Sequence, residues 1–165
     1  METMIRKVQQ GDANALAYIQ TESWKAAFAG ILDAEMLAKC TDIDRATAMY
    51  QRLLDENKGN GYLLTVNEKP HCIAYWDAAR DPEFAGKAEL ICIHSLPDNW
   101  HKGFGSQMMD FVLDDIKKAG YSEVVLWVFR DNLRARAFYE AKGFILKEIG
   151  RPAFDTEEVL YSKGL

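Results

Sequence analysis

Hydrophobic residues recur along this chain in two rhythms, and the switch between them marks its elements. Phe104, Met108, Val112 and Ile116 are spaced by four, with Asp110, Asp114, Lys117 and Lys118 on other faces, which is a helical period. Ala88 to Ser95 ahead of it reads as a strand. Val124 to Phe129 after it is apolar without interruption, as in a strand covered on both faces. Strand, helix and strand joined by so long a crossover predict a parallel βαβ unit of right-handed sense. Asn132 predicts the N-cap of the next helix, Gly143 its C′ residue, and Tyr139 falls two turns along it.

The remaining pattern is weaker but consistent. Met4 to Gln9 is a first strand marked by Ile5 and Val8. Asp12 then predicts an N-cap, and Ala13 to Phe28 a helix with Leu16, Ile19, Ser23 and Ala27 near one face and Trp24 and Phe28 beside them. Gly30-Ile31-Leu32 breaks it. A second helical region starts at Asp33 and runs toward Asn57, with an interruption near Thr41-Asp42. Tyr62 to Val66 and Cys72 to Trp76 are strands joined by a hairpin-like break over Asn67-Glu68-Lys69-Pro70. Asp77 to Lys87 is a polar loop with Pro82 and Gly86, long enough to reach over a site. Thr156 to Lys163 is a final strand. The predicted order is β-α-α-β-β-β-α-β-α-β-β.

Composition narrows the class. With 165 residues, 48% hydrophobic and 27% charged, the chain reads as one ordinary globular domain, residues 1–165. A net charge of −5 argues against nucleic acid as the partner. A local basic patch of Lys102, Arg130, Arg134 and Arg136 would still suit phosphates. Cys40, Cys72 and Cys92 are odd in number and lack metal spacing, which predicts reduced thiols, a cytoplasmic protein and no metal. Neither a signal peptide nor a membrane-spanning run is expected.

The candidate chemistry begins at Lys102-Gly103-Phe104-Gly105-Ser106. A helix start offers unpaired backbone N–H groups and partial positive charge, and glycines let a phosphate approach them. Met108 stands where a dinucleotide fingerprint needs a third glycine, and no Gly-Lys-Ser/Thr of a Walker loop follows. Together with Asn132, Ala135, Phe138, Tyr139, Gly143 and Phe144, the turn resembles the core of the GNAT superfamily of acetyl-CoA-dependent N-acetyltransferases. That core reads [Gln/Arg]-x-x-Gly-x-[Gly/Ala], helix, strand, then Asn-x-x-Ala-x-x-Phe-Tyr-x-x-x-Gly-Phe. Two positions depart from it. Trp100 occupies the Gln/Arg site, so a side-chain contact to the cofactor pyrophosphate is missing, and His101 replaces a frequent glycine.

The resemblance implies an α/β (α+β) GNAT fold, a mixed sheet of about seven strands flanked by four helices. It implies acetyl-CoA as co-substrate and direct attack by an acceptor amine. The pyrophosphate would lie on His101, Lys102, Gly103, Phe104, Gly105 and Ser106. The pantetheine arm would pair with backbone groups of Ile93 and Ser95 where two strands splay near a bulge, a common site for freed donors. Asn132, Ala135 and Phe138 would line the other wall. Tyr139 would be the general acid on the leaving thiolate. Glu89, acting through water, and His94 compete as base, and many relatives use no strong base. Ser23 to Leu32 resembles a segment that borders the acceptor pocket in one branch, which makes Trp24 and Phe28 substrate-binding candidates as well as core candidates. The acceptor could be a polyamine, an amino acid, an aminoglycoside-like drug, or a protein N-terminus or lysine. Dimers are common among relatives. A catalytically weak CoA-binding sensor is the alternative function, supported by Trp100.

Overall fold

A computed structural model describes residues 2–165. The elements are β1 (Thr3–Lys7), α1 (Ala13–Ala27), α2 (Ala34–Cys40), α3 (Ile43–Asp55), β2 (Asn60–Val66), β3 (Lys69–Ala78), β4 (Ala88–Ser95), α4 (Phe104–Lys118), β5 (Glu123–Phe129), α5 (Leu133–Ala141), β6 (Ile145–Ala153) and β7 (Thr156–Gly164). This is the predicted order, with the second helical region divided where the break at Thr41-Asp42 falls. Asp33 caps α2 by accepting the Met36 N–H at 2.8 Å, and Asp42 restarts the helix by accepting the Arg45 N–H at 3.0 Å. The four flanking helices expected are therefore five among the described residues.

The strands form one sheet in the order β1-β2-β3-β4-β5-β7-β6. Every neighbouring pair is antiparallel except β4 and β5. Side chains alternate between its faces. Tyr62, Leu64 and Val66 join the core under α4, with Phe104, Met108, Met109, Val112 and Ile116. Leu63, Ile73 and Tyr75 join the opposite core under α1 and α3, with Leu16, Ala17, Ile19 and Tyr50. β5 is covered on both faces, by the α4 core on one and by the clusters around Phe84 and Phe28 on the other, which explains its unbroken apolar run. Each fully buried large side chain contributes about 1.5–3 kcal/mol relative to exposure.

Three local expectations change. The β2–β3 turn is tighter than the four-residue break suggested: Asn67 and Glu68 both adopt positive φ, 51° and 68°, as a two-residue hairpin turn requires. Pro70 then lies within β3 at a register shift, where a missing N–H costs little. β1 ends at Lys7, short of Gln9. Asp12 stands at the N-cap of α1 as predicted, but its side chain makes no cap bond because its carboxylate is already held. Arg6 grips both oxygens at 2.8 and 2.9 Å, and the Gln9 N–H donates at 2.8 Å. A charge-assisted two-point contact outweighs a neutral cap bond. In the loop after β3, Phe84 is buried against Val125 and Leu160, so the middle of that loop is pinned to the sheet.

Candidate active site

The sheet opens at its centre. β4 and β5 pair only through Ala88↔Val124 and Glu89↔Val125, and then diverge. On its other side β4 carries a bulge: Leu90 faces Trp76 and Cys92 faces Tyr75, which leaves Ile91 without an opposite residue. A groove of about 1010 Å³ fills the gap, with Ile91 to Ser95 on one wall and Trp127 to Phe129 on the other.

One end of the groove is made mainly of backbone. His101 and Gly103 have φ of 65° and 85°, and α4 begins at Phe104. Gly103 has no heavy atom within 4 Å of where a Cβ would sit, so the space above the turn is open. The N–H groups of Phe104, Gly105 and Ser106 have no bonded partner among the described residues, as in any first helical turn. The turn is anchored from below. Asn99 is buried and bonds the His71 ring, which lies against Phe104. The opposite wall is α5. Asn132 caps it through the Ala135 N–H at 3.3 Å, and Gly143 closes it at φ 90°. Ala135, Phe138 and Tyr139 all line the groove.

Tyr139 packs its ring against Phe138, Phe144 and Tyr161, with centroids 5.6, 5.9 and 6.3 Å away. Its hydroxyl has no hydrogen-bond partner among the described residues. Burial pushes its pKa well above the usual phenol value, so the proton stays on the oxygen at physiological pH. Tyr161 steadies this wall by donating to Glu140 and accepting from Arg136 Nε at 3.0 Å.

The two base candidates have different surroundings. His94 lines the groove, and its Nε2 accepts the Trp24 Nε1–H at 3.2 Å, so a neutral ring carries its proton on Nδ1. Burial lowers its pKa to about 4. Glu89 is buried and does not line the groove. Arg80 binds its carboxylate through Nε at 3.1 Å, Nη2 at 2.6 Å and the backbone N–H at 3.1 Å. It is therefore not a solvated strand-end charge. Trp24 and Phe28 both line the groove and also pack as core. Their rings lie 5.0 Å apart, and Phe28 meets Phe129 at 4.8 Å.

The far end of the groove is made of side chains that sequence reasoning did not single out. Gln20, Tyr50, Tyr75, Asp77 and Arg80 line it. Tyr50 donates to Gln20, and the buried Tyr75 hydroxyl has no partner among the described residues. Gly61 faces Tyr75 across β2 and β3, and a Cβ there would fall 2.4 Å from the ring. A glycine facing an aromatic residue was the one local signal for this end, and it shows only once the register is known.

Other basic residues are already committed. Arg130 pairs with Glu157 at 2.7 Å, and Arg136 is held by Tyr161 and the Arg130 carbonyl. The described residues contain no metal-binding cluster of His, Cys, Asp or Glu, and no helix long and apolar enough to cross a membrane.

This arrangement, a mixed sheet split at its one parallel pair beside a glycine-turn helix start, is that of the acetyltransferases. The GNAT acetyltransferase family model matches residues 22–144, and the chain belongs to that family of acyl-CoA-dependent N-acetyltransferases. A spermidine N(1)-acetyltransferase of Thermoplasma acidophilum is 26% identical over 96% of this chain and 98% of its own. A ribosomal protein bS18-alanine N-acetyltransferase of Escherichia coli is 29% identical over 66% of this chain and 72% of its own. The crystal structure of PaiA N-acetyltransferase from Thermoplasma acidophilum in complex with coenzyme A has the same fold, with a TM-score of 0.85 at 22% identity and full coverage of both chains.

Proposed function

We propose that this protein acts as a single domain that transfers the acetyl group of acetyl-CoA to a primary amine, with Tyr139 as general acid and a polyamine as acceptor. One observation carries the reading: the backbone-lined end, the split strand edge and the protonated Tyr139 phenol all border the same groove. The groove suits CoA because it offers free amides at Phe104 to Ser106 and a β4 edge that β5 leaves unpaired over Ile93 to Ser95, apart from the Ser95 carbonyl, which accepts from the Trp100 indole. His101, Gly103 and Asn132 also line it. The thioester would come from the bound cofactor. The amine nitrogen bonds to the thioester carbon and the C–S bond breaks. Tyr139 gives its proton to the departing sulfur, and the proton released by the new amide nitrogen passes through water to restore the phenol. An N–H of the freed β4 edge donates to the carbonyl oxygen. Such a donor is worth roughly 3 kcal/mol of barrier.

Proton removal from the amine falls to neither candidate as a strong base. His94 is held neutral with its acceptor nitrogen occupied, and Glu89 lies beneath Arg80. The acceptor then reacts through its uncharged fraction. Among the described residues, Asp77 at the far end has no cationic partner within ion-pairing distance, and the Tyr75 hydroxyl is unbonded. A free carboxylate and an unbonded phenol at this end favour an amine that carries a second ammonium. The relative that acts on spermidine, similar over nearly the whole chain, supports the same class.

Arg52 and Lys58 on the groove lining favour a second reading, a peptide N-terminus with acidic residues behind it. Thiol release from acetyl-CoA in the presence of spermidine or putrescine, compared with peptides beginning in alanine, separates the two. Turnover with peptides alone overturns the polyamine assignment. Binding of CoA with no thiol release from any amine makes the protein a sensor rather than an enzyme.

A further inference from the structure

The turn that would hold the diphosphate lacks its usual side-chain donor, because position 100 is Trp. The structure brings a charge to that place from the opposite wall. Arg134, in the first turn of α5, lies with its guanidinium carbon 3.6 Å from the centre of the Trp100 ring. The ring is itself fixed, since its Nε1–H donates to the Ser95 carbonyl at 3.1 Å. Trp100 is therefore a platform tied to the end of β4, with a cation laid on its face.

Arg134 is the basic residue of the predicted patch with no other task. Arg130 and Arg136 are bonded within the protein, and Lys102 does not line the groove. Arg134 lines the groove, has no carboxylate partner among the described residues, and is partly withdrawn from water, which lowers its pKa. An unpaired guanidinium on the same groove as three free helix-start amides suits an anion.

We infer that Arg134, held flat on Trp100, binds the diphosphate of the cofactor and replaces the Gln/Arg side chain that the turn lacks. This rests on the CoA reading above. The aromatic platform turns the planar donor edge of the guanidinium toward the phosphate oxygens, which suits two-point binding. The tryptophan is then part of the phosphate site rather than a sign of its decay.

Calorimetry with three ligands tests the assignment: CoA, 3′-dephospho-CoA and acetylpantetheine. Arg134→Ala should weaken CoA and 3′-dephospho-CoA equally, by roughly 10- to 100-fold for a charge-assisted contact. Acetylpantetheine, which has no diphosphate, should bind the variant as it binds wild type. Arg134→Gln, which keeps a planar donor without the charge, should fall between. The salt dependence of CoA affinity should be shallower in both variants. Trp100→Phe should lose a few-fold, and Trp100→Ala more. Unchanged thermal melting shows that α5 still folds. CoA affinity unchanged in Arg134→Ala overturns the inference, and so does a loss confined to CoA, which would move the guanidinium to the 3′-phosphate. Wild-type protein that binds neither CoA nor acetylpantetheine overturns the cofactor reading itself and the inference with it.

Discussion

β4 has two neighbours and treats them differently. Against β3 it pairs from Ala88 to Ser95 with one bulge; against β5 it pairs at two positions and then lets go. The first contact builds the sheet, and the second withholds hydrogen bonds from a buried strand edge. Unpaired backbone groups are costly in a protein interior, so a fold that leaves them open does so where something else can complete them. The two ends of the resulting groove differ in the same sense. The end beside α4 is made largely of main-chain donors at one helix terminus, with α5 as its opposite wall. The end beside α1, α3 and β3 is made of side chains. On the function proposed above, the first end would hold the cofactor and the second would set which acceptor is taken.

The largest expected effect lies where the two ends meet. Tyr139→Phe removes the proposed acid and little else, so kcat should fall by roughly 10²- to 10³-fold, as for loss of general acid catalysis. Acetyl-CoA affinity should stay within two-fold. A similar loss in affinity would make Tyr139 a binding residue and blur the distinction between the ends.

His94 sharpens the comparison through pH. Its folded pKa, about 4, lies below its ordinary value of 6.5 because burial disfavours the charged ring. The unfolded chain therefore takes up a proton first on acidification. The contribution to stability is complete above pH 6.5 and is lost as pH falls toward 4, by about 3 kcal/mol at most. His94→Gln should flatten that part of the stability curve in chemical denaturation. An equally steep curve in the variant would assign the acid sensitivity elsewhere.

Asp77→Asn probes the side-chain end alone. The KM for a polyamine should rise about tenfold, the loss of one charged contact, while CoA binding is unchanged. An unchanged KM would move the second ammonium away from Asp77. The smallest effect belongs to the α5 cap. Asn132→Ala should cost about 1 kcal/mol of stability, read as a shift in denaturation midpoint.

The same contrast explains what the sequence revealed. The backbone-built end was legible because its parts are local: the Gly103 turn starts α4, and Asn132, Tyr139 and Gly143 lie at fixed steps on one helix. The side-chain end was not, because Gln20, Tyr50, Tyr75 and Asp77 come from three elements that no spacing connects. The Arg80–Glu89 clamp joins residues on either side of the pinned loop, and Glu89 alone gave no sign of it. Asp12 looked like a cap because its neighbours are helical, and the competing Arg6 lies on a different element. Trp100 read as a defect until the fold placed Arg134 on its face.

Amide hydrogen exchange with and without CoA tests most directly whether the split between β4 and β5 is the seat of the cofactor. CoA should slow exchange in Ile91 to Ser95 and in Phe104 to Ser106, with β2 and β3 left as they were. Tight binding that leaves those two segments exchanging as fast as before would contradict the account.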